Sequence, residues 1–262
     1  MHKLVYLASV ASIIWMAPAA PALSDEILDI SRAVAAAGHP VPSARTLREA
    51  CDADSLCVAR FLKDRLGDGA EIIPVEENSS EPKRWRTAAP PLKRVIEDGK
   101  GRLIIVLAQF DAKAIAEAVN TAAFPVRKIV LDIREIEKNA DLDGMRRVAA
   151  LFIGKAERAF QVRHSAGKDV DWTIVKPPQR ISADAVEVWV DQSTDAVGEV
   201  FAALLRSLAD AQVLGQTTKA KGYLKNIVPV TRGWALAVPT ARIFMKGIDF
   251  NDGLIPDGSI PE

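Results

Sequence analysis

The chain carries no excess of either charge: 34 Lys plus Arg are balanced by 34 Asp plus Glu. No basic stripe stands out, which argues against a nucleic-acid partner. Cysteine and histidine are scarce, at two and three residues. Cys51 and Cys57 have no nearby His to complete a metal-ligand set. His39 and His164 stand apart from any metal-spaced or triad-like context, so neither a metal nor a cofactor is expected. Gly99-Lys100-Gly101 precedes a strand pattern rather than a helix, which excludes a phosphate loop. Beyond residue 22 no segment is long and apolar enough to span a membrane, and no internal repeat or low-complexity tract occurs.

What is present is enough apolar material for a core. Residues of hydrophobic type make up 49% of 262, which suits one sizeable domain or a domain with a smaller appendage. The first residues have the order of an export signal: basic His2 and Lys3, an apolar run from Leu4 to Met16, then Ala17-Pro18-Ala19-Ala20-Pro21-Ala22 with a small-residue cleavage pattern. The expectation is a signal peptide at 1–22 and a mature protein in the periplasm, with no stable membrane span after signal removal. An uncleaved anchor is the alternative. In an oxidising compartment Cys51 and Cys57 suit a disulfide. Six positions along one straight helix would place them about 9 Å apart along the axis, too far to bridge. A disulfide therefore predicts a helix break near 52–55. Two free buried thiols are the other reading.

Residues 23–91 read as a helical N-terminal region. A helix over 25–37 stops at Gly38, one or two more fill 43–66, a short strand falls at 71–75, and the polar, proline-rich 76–91 is a linker or surface loop. From 92 the texture changes. Leu103 to Leu107 and Lys128 to Ile133 are buried strands; 111–123 and 141–154 are helices opened by Asp111 and Asp141; 158–180 makes a hairpin. Short strands follow near 223–230, 234–238 and 241–245. This alternation over 92–262 predicts an α/β domain with largely parallel strands. Trp85 lies in the linker, and Trp172, Trp189 and Trp234, in or near strands, suit core or edge packing.

The stretch from Asp191 to Gly222 organises the chain. An apolar strand ends in the polar corner Ser193-Thr194-Asp195. Val197, Val200, Phe201, Leu204, Leu205 and Leu208 then repeat as one helical face, and a short strand runs into a basic loop. A strand-corner-helix unit presents its first helical residue, and free N–H groups, to a ligand. A nucleophile would sit there, and the residue is Ala196.

Four segments in order carry a resemblance: Leu131-Asp132-Ile133-Arg134, Thr194-Asp195-Ala196-Val197-Gly198-Glu199, Gly215-Gln216-Thr217-Thr218-Lys219-Ala220-Lys221-Gly222, and Gly253-Leu254-Ile255-Pro256-Asp257. Together they resemble the carboxyl-terminal processing (tail-specific) serine peptidases. The resemblance implies a tail-specific peptidase-like (ClpP/crotonase-like) α/β fold with a small helical N-terminal region. In that family a serine at the helix start attacks the peptide carbonyl and a lysine on the loop is its base. Lys221 matches that lysine, at the family's own spacing from the nucleophile position, which is Ala196. A lysine acts as base only when its pKa is depressed toward neutrality.

Two departures bear on the reaction. Ala196 has no hydroxyl, and the turn 135–140 lacks the family's glycines and holds two acids, which would oppose a developing oxyanion. A PDZ-like module is not recognisable between 25 and 100. Ser193 and Thr194 are displaced nucleophile candidates with Lys221 as base, or one of them is the cap of the following helix. The alternative readings are Lys221 as a solvated surface lysine, Glu199 as a partner of the helix dipole, and Arg134 as a structural partner of Asp132 or Glu199. The expected function is non-catalytic binding of a peptide or protein ligand, or scaffolding. The alternatives are a serine-type peptidase using Ser193 or Thr194, and a structural envelope protein. Oligomeric state is not legible.

Overall fold

The computed structural model describes residues 24–52, 54–75, 90–137, 141–231 and 233–261. The expected signal peptide, most of the 76–91 linker with Trp85, and positions 138–140 of the turn lie outside the described residues. In chain order come α1 (Ser24–Ala36), α2 (Ala44–Cys51), α3 (Ser55–Leu66), β1 (Glu71–Pro74), β2 (Leu92–Glu97) and β3 (Arg102–Leu107). After them come α4 (Ala112–Asn120), β4 (Lys128–Asp132), α5 (Leu142–Ile153), β5 (Glu157–His164) and β6 (Val170–Ile174). The chain finishes with β7 (Ala185–Val190), α6 (Ala196–Leu208), β8 (Gln212–Gly215), β9 (Tyr223–Thr231) and β10 (Trp234–Phe244).

Helix starts are set by short polar side chains that accept the first free amides. Asp111 caps Ala114, Asp141 caps Asp143 and Gly144, and Asp195 caps Gly198, with N···O distances of 2.8–3.0 Å. Two sheets result. In one, β3, β4, β7 and β8 run parallel, with β2 antiparallel on the outer edge of β3. In the other, β10 is the spine: β1 pairs its first half, β5 its second half, and β9 runs along its opposite side. The main core lies between the parallel sheet and α4–α6, and reaches β5 and β6 through Phe160, Val162 and Ile174. Phe201 of α6 is fully buried in it, with its ring 4.8 Å from that of Phe110.

A second apolar cluster joins α1–α3 to the other sheet. Ile27, Ile30, Leu47, Val58 and Leu62 pack on Val228, Val230, Leu236 and Val238. With β1 paired to β10, the N-terminal region and the last strands share one sheet. Cys51 and Cys57 are bonded, and the helix breaks between them as a bridge requires: Asp52 adopts φ 45° at the end of α2, and Asp54 caps α3.

Three expectations are corrected. β2 was not anticipated, because LKRVIE mixes charges into a short edge strand whose Val95 and Ile96 stay 43% exposed. The two short strands expected after 234 are one, β10, which passes Pro239 by a register shift instead of stopping. Trp234 is exposed rather than packed, whereas Trp189 is buried and Trp172 stacks on Phe160. Among the described residues, no helix is long and apolar enough to cross a membrane.

The bridge ties α2 to α3 within a short loop, so its value is entropic and modest. Reducing it is expected to lower unfolding stability by about 2 kcal/mol. Urea unfolding with and without a thiol reductant measures this, and an unchanged midpoint would show that helix packing alone fixes the junction.

Candidate functional site

The polar corner is built by Asp191, the residue after β7. Its Oδ1 accepts the Ser193 and Thr194 amides at 2.8 and 3.1 Å and the Ser193 hydroxyl at 2.8 Å. This is an Asx turn, in which a side chain takes the place of backbone acceptors. Thr194 Oγ1 accepts the Asp191 amide at 3.0 Å and is buried, with 2% exposure for the residue. Ser193 is exposed and can also donate to the Arg134 carbonyl, 3.2 Å away. Neither hydroxyl is the helix cap. With both committed to the turn, the cap falls to Asp195. Ala196 follows as the first residue of α6, only 3% exposed. Gly198 brings the helix close to the corner and to the end of β4: a Cβ there would lie 2.7 Å from Thr194 Cγ2.

One turn into α6, Glu199 has no exposed surface. Its Oε1 accepts the Thr218 hydroxyl and the amides of Ala220 and Lys221 at 3.0 and 3.1 Å. Its Oε2 accepts the Gly222 amide at 2.8 Å. Glu199 is therefore more than a partner of the helix dipole: it holds the loop after β8 against the helix. Burial pushes its carboxyl above the ordinary range, against the pull of the Thr218 hydroxyl and the three backbone amides. Thr218 extends the contact, since its Oγ1 accepts the Leu254 amide at 2.8 Å. Gly253 must be glycine for this approach: at φ 83° its Cβ would fall 2.0 Å from the Thr218 carbonyl oxygen.

Lys221 is thus attached to the helix by its main chain. Its backbone takes φ 56°, and its side chain is exposed. It lines a cavity of about 380 Å³ with Lys63, Asp64, Asp68, Glu71, Lys219, Tyr223 and Lys225. Ala196, Ser193 and Thr194 do not line that cavity. The structure therefore joins the corner and the loop through Glu199, while the four nominated site residues do not share one cavity.

The turn after β4 uses its polar groups internally. Arg134 forms a two-pronged bond with Asp132, Nε to Oδ1 at 2.9 Å and Nη2 to Oδ2 at 2.7 Å, and lies over the Trp189 ring. Asp132 raises the Arg134 pKa, and Glu199 is not its partner. The amides of Arg134, Ile136 and Glu137 go to Asp132 Oδ1, the Ile133 carbonyl and the Ala108 carbonyl. Glu135 pairs with Lys93 and Arg94 of β2 at 3.0 and 3.5 Å. His39 donates from Nε2 to the Pro239 carbonyl, a structural tie between the α1–α2 turn and β10. Among the described residues, no group of three or more His, Cys, Asp or Glu is placed to hold a metal ion.

Comparison with known proteins adds ancestry. The family model of peptidase family S41 matches residues 103–260. No curated protein matches the chain. Among solved structures, a candidate peptidase from Parabacteroides merdae superposes with TM-score 0.58 at 10% identity, over 91% of this chain and 87% of the other. A lipoprotein from Streptococcus agalactiae gives 0.55 at 14%, over 95% and 94%. A candidate S41 protease from Bacteroides fragilis gives 0.50 at 16%, over 66% of this chain and 51% of the other, so this chain spans about half its length. At such identities the likeness is one of fold.

The Glu199 contact has a measurable consequence. In Glu199→Gln the amide nitrogen would meet the Gly222 N–H, donor against donor, and a destabilisation of about 2 kcal/mol is expected at pH 4.5. A raised folded pKa means the folded state binds the proton more tightly than the unfolded chain. That contribution is full below the ordinary value of 4.5 and is lost as pH rises through the folded value. The gap between wild type and Glu199→Gln should therefore narrow from pH 4.5 toward 7.5 in urea unfolding. A gap that widens with pH would show that the four donors, not burial, set the proton affinity.

Proposed function

Because this chain belongs to peptidase family S41 and yet starts α6 with Ala196, we propose that it is an exported, non-catalytic member of that family, acting by binding a peptide or protein or as a scaffold. The observation that carries this reading is the fate of the groups the reaction would use. The nucleophile position is a buried methyl. The amides of Arg134, Ile136 and Glu137 are taken by internal acceptors, so they are not directed at a substrate oxyanion. Lys221 faces the cavity beside Lys63 and Lys219 rather than a hydroxyl of the corner.

The competing reading, hydrolysis by Ser193 or Thr194 with Lys221 as base, meets two obstacles. The Ser193 hydroxyl bonds the Asp191 carboxylate, and Thr194 is buried with its oxygen accepting the Asp191 amide. Displacing either would break the corner that starts α6. Periplasmic residence is part of the proposal. It is supported by the order of residues 1–22 and by the Cys51–Cys57 bridge, a bond characteristic of oxidising compartments.

Two measurements test the reading. Incubating the mature protein with a serine-reactive fluorophosphonate should give no adduct, and unfolded casein should stay intact. An adduct lost in Ser193→Ala or Thr194→Ala would establish the hydrolase. Ala196→Ser should fold with a stability change within about 1 kcal/mol and still release no peptide, because the amides of Arg134, Ile136 and Glu137 stay bonded to internal acceptors. Casein cleavage by Ala196→Ser above buffer would show that only the nucleophile had been lost.

A further inference from the structure

The cavity beside Lys221 is formed by two segments that are distant in sequence. One wall is the end of α3 and the turn into β1, with Lys63, Asp64, Asp68 and Glu71. The other is the 219–225 segment, with Lys219, Lys221 and Lys225. The contact between the walls is shaped, not incidental. Gly69 takes φ 96° with its Cβ position 2.8 Å from the Tyr223 ring, so only glycine lets the turn lie flat on that ring. Tyr223 is also in contact with Arg242, whose guanidinium lies 4.9 Å from the ring centre and is bonded to Asn251. The main chain of Lys221 is held by the hydrogen bond its amide donates to Glu199.

Charge on these walls is only partly matched. Lys225 pairs with Glu71 at 3.1 Å and closes one end. Among the described residues, Lys63, Asp64, Asp68, Lys219 and Lys221 form no ion pair. A purely anionic ligand would meet two unpaired acids, and a purely cationic one three unpaired lysines. A ligand with both charges meets each with its opposite. The volume, about 380 Å³, is at the small end of ligand cavities.

We infer that this cavity binds a small zwitterion of the amino-acid class, its carboxylate taken by Lys219 and Lys221 and its ammonium by Asp64 and Asp68. The inference rests on the non-catalytic reading in one respect: release of the ligand unchanged follows from that reading, whereas its binding does not.

Calorimetric titration of the mature protein with glycylglycine, N-acetylglycylglycine and glycylglycinamide tests the inference. Glycylglycine should bind, and each blocked form should bind about tenfold more weakly, having lost one charged partner. Asp68→Ala should weaken glycylglycine while leaving N-acetylglycylglycine unchanged. Lys219→Ala should weaken glycylglycine while leaving glycylglycinamide unchanged. Both positions are exposed, and thermal unfolding of the variants verifies the fold. No heat at millimolar glycylglycine, equal affinity for all three compounds, or variants that change nothing would overturn the site. Chromatography of the used ligand separates this from the parent reading: cleaved glycylglycine would refute the absence of catalysis and leave the site standing.

Discussion

The buried carboxyl of Glu199 is the constraint on which the rest of the site depends. It gathers one hydroxyl and three amides from the loop after β8 and holds them against the first turns of α6. Thr218 passes the constraint on by accepting the Leu254 amide, and Gly253 must lie against the Thr218 carbonyl for that bond to form. Farther along, Asp257 Oδ2 accepts the Val213 amide of β8 at 2.8 Å, and Arg206 of α6 reaches the Ile255 carbonyl at 2.9 Å. Helix, loop and C-terminal segment thus form a closed ring of contacts. Removing the Glu199 carboxyl would leave several buried donors unsatisfied at once, which is why its effect should exceed that of a surface substitution.

This ring explains how a chain can keep a peptidase family's segments with an alanine at position 196. Glu199, Thr218, Gly222, Gly253 and Asp257 contact one another or the elements beside them, and none of those contacts uses a hydroxyl at 196. A methyl at the helix start packs where an alanine is comfortable, under the corner that Asp191 and Asp195 have already capped. The contacts that make the pattern recognisable are therefore those of the fold, and they are independent of the side chain at 196.

Most of the α/β core was legible because its elements obey strong periodicities. The face running from Val197 to Leu208 read as a helix, and Leu103–Leu107 and Lys128–Ile133 as buried strands, with Asp111 and Asp141 marking the helix start that follows each strand. The break between Cys51 and Cys57 followed from bond reach once the pair was read as a disulfide. Other features depend on partners that sequence spacing does not reveal. β2 exists because β3 offers an edge, since its own residues carry little strand signal. The role of Glu199 hinges on burial under a loop that follows it by some twenty positions. The cavity walls at 63–71 and 219–225 meet only because β1 pairs with β10 and brings the α3 turn against Tyr223. The choice of Asp195 over Ser193 or Thr194 as cap was decided by Asp191, whose turn had already engaged both hydroxyls.

Lys221 illustrates how main chain and side chain can serve different ends at one residue. Its attachment to Glu199 uses the amide, which any residue but proline provides. A left-handed φ is costly for a residue with a Cβ, by about 1 kcal/mol or more, and glycine would remove that cost. The loop's geometry therefore gives no reason for a lysine there. Nor does the corner, whose hydroxyls are bonded within their own turn. The remaining environment of that side chain is the cavity it shares with Lys219, Asp64 and Asp68. The side chain of Lys221 is thus set by that cavity, while its main chain is set by Glu199.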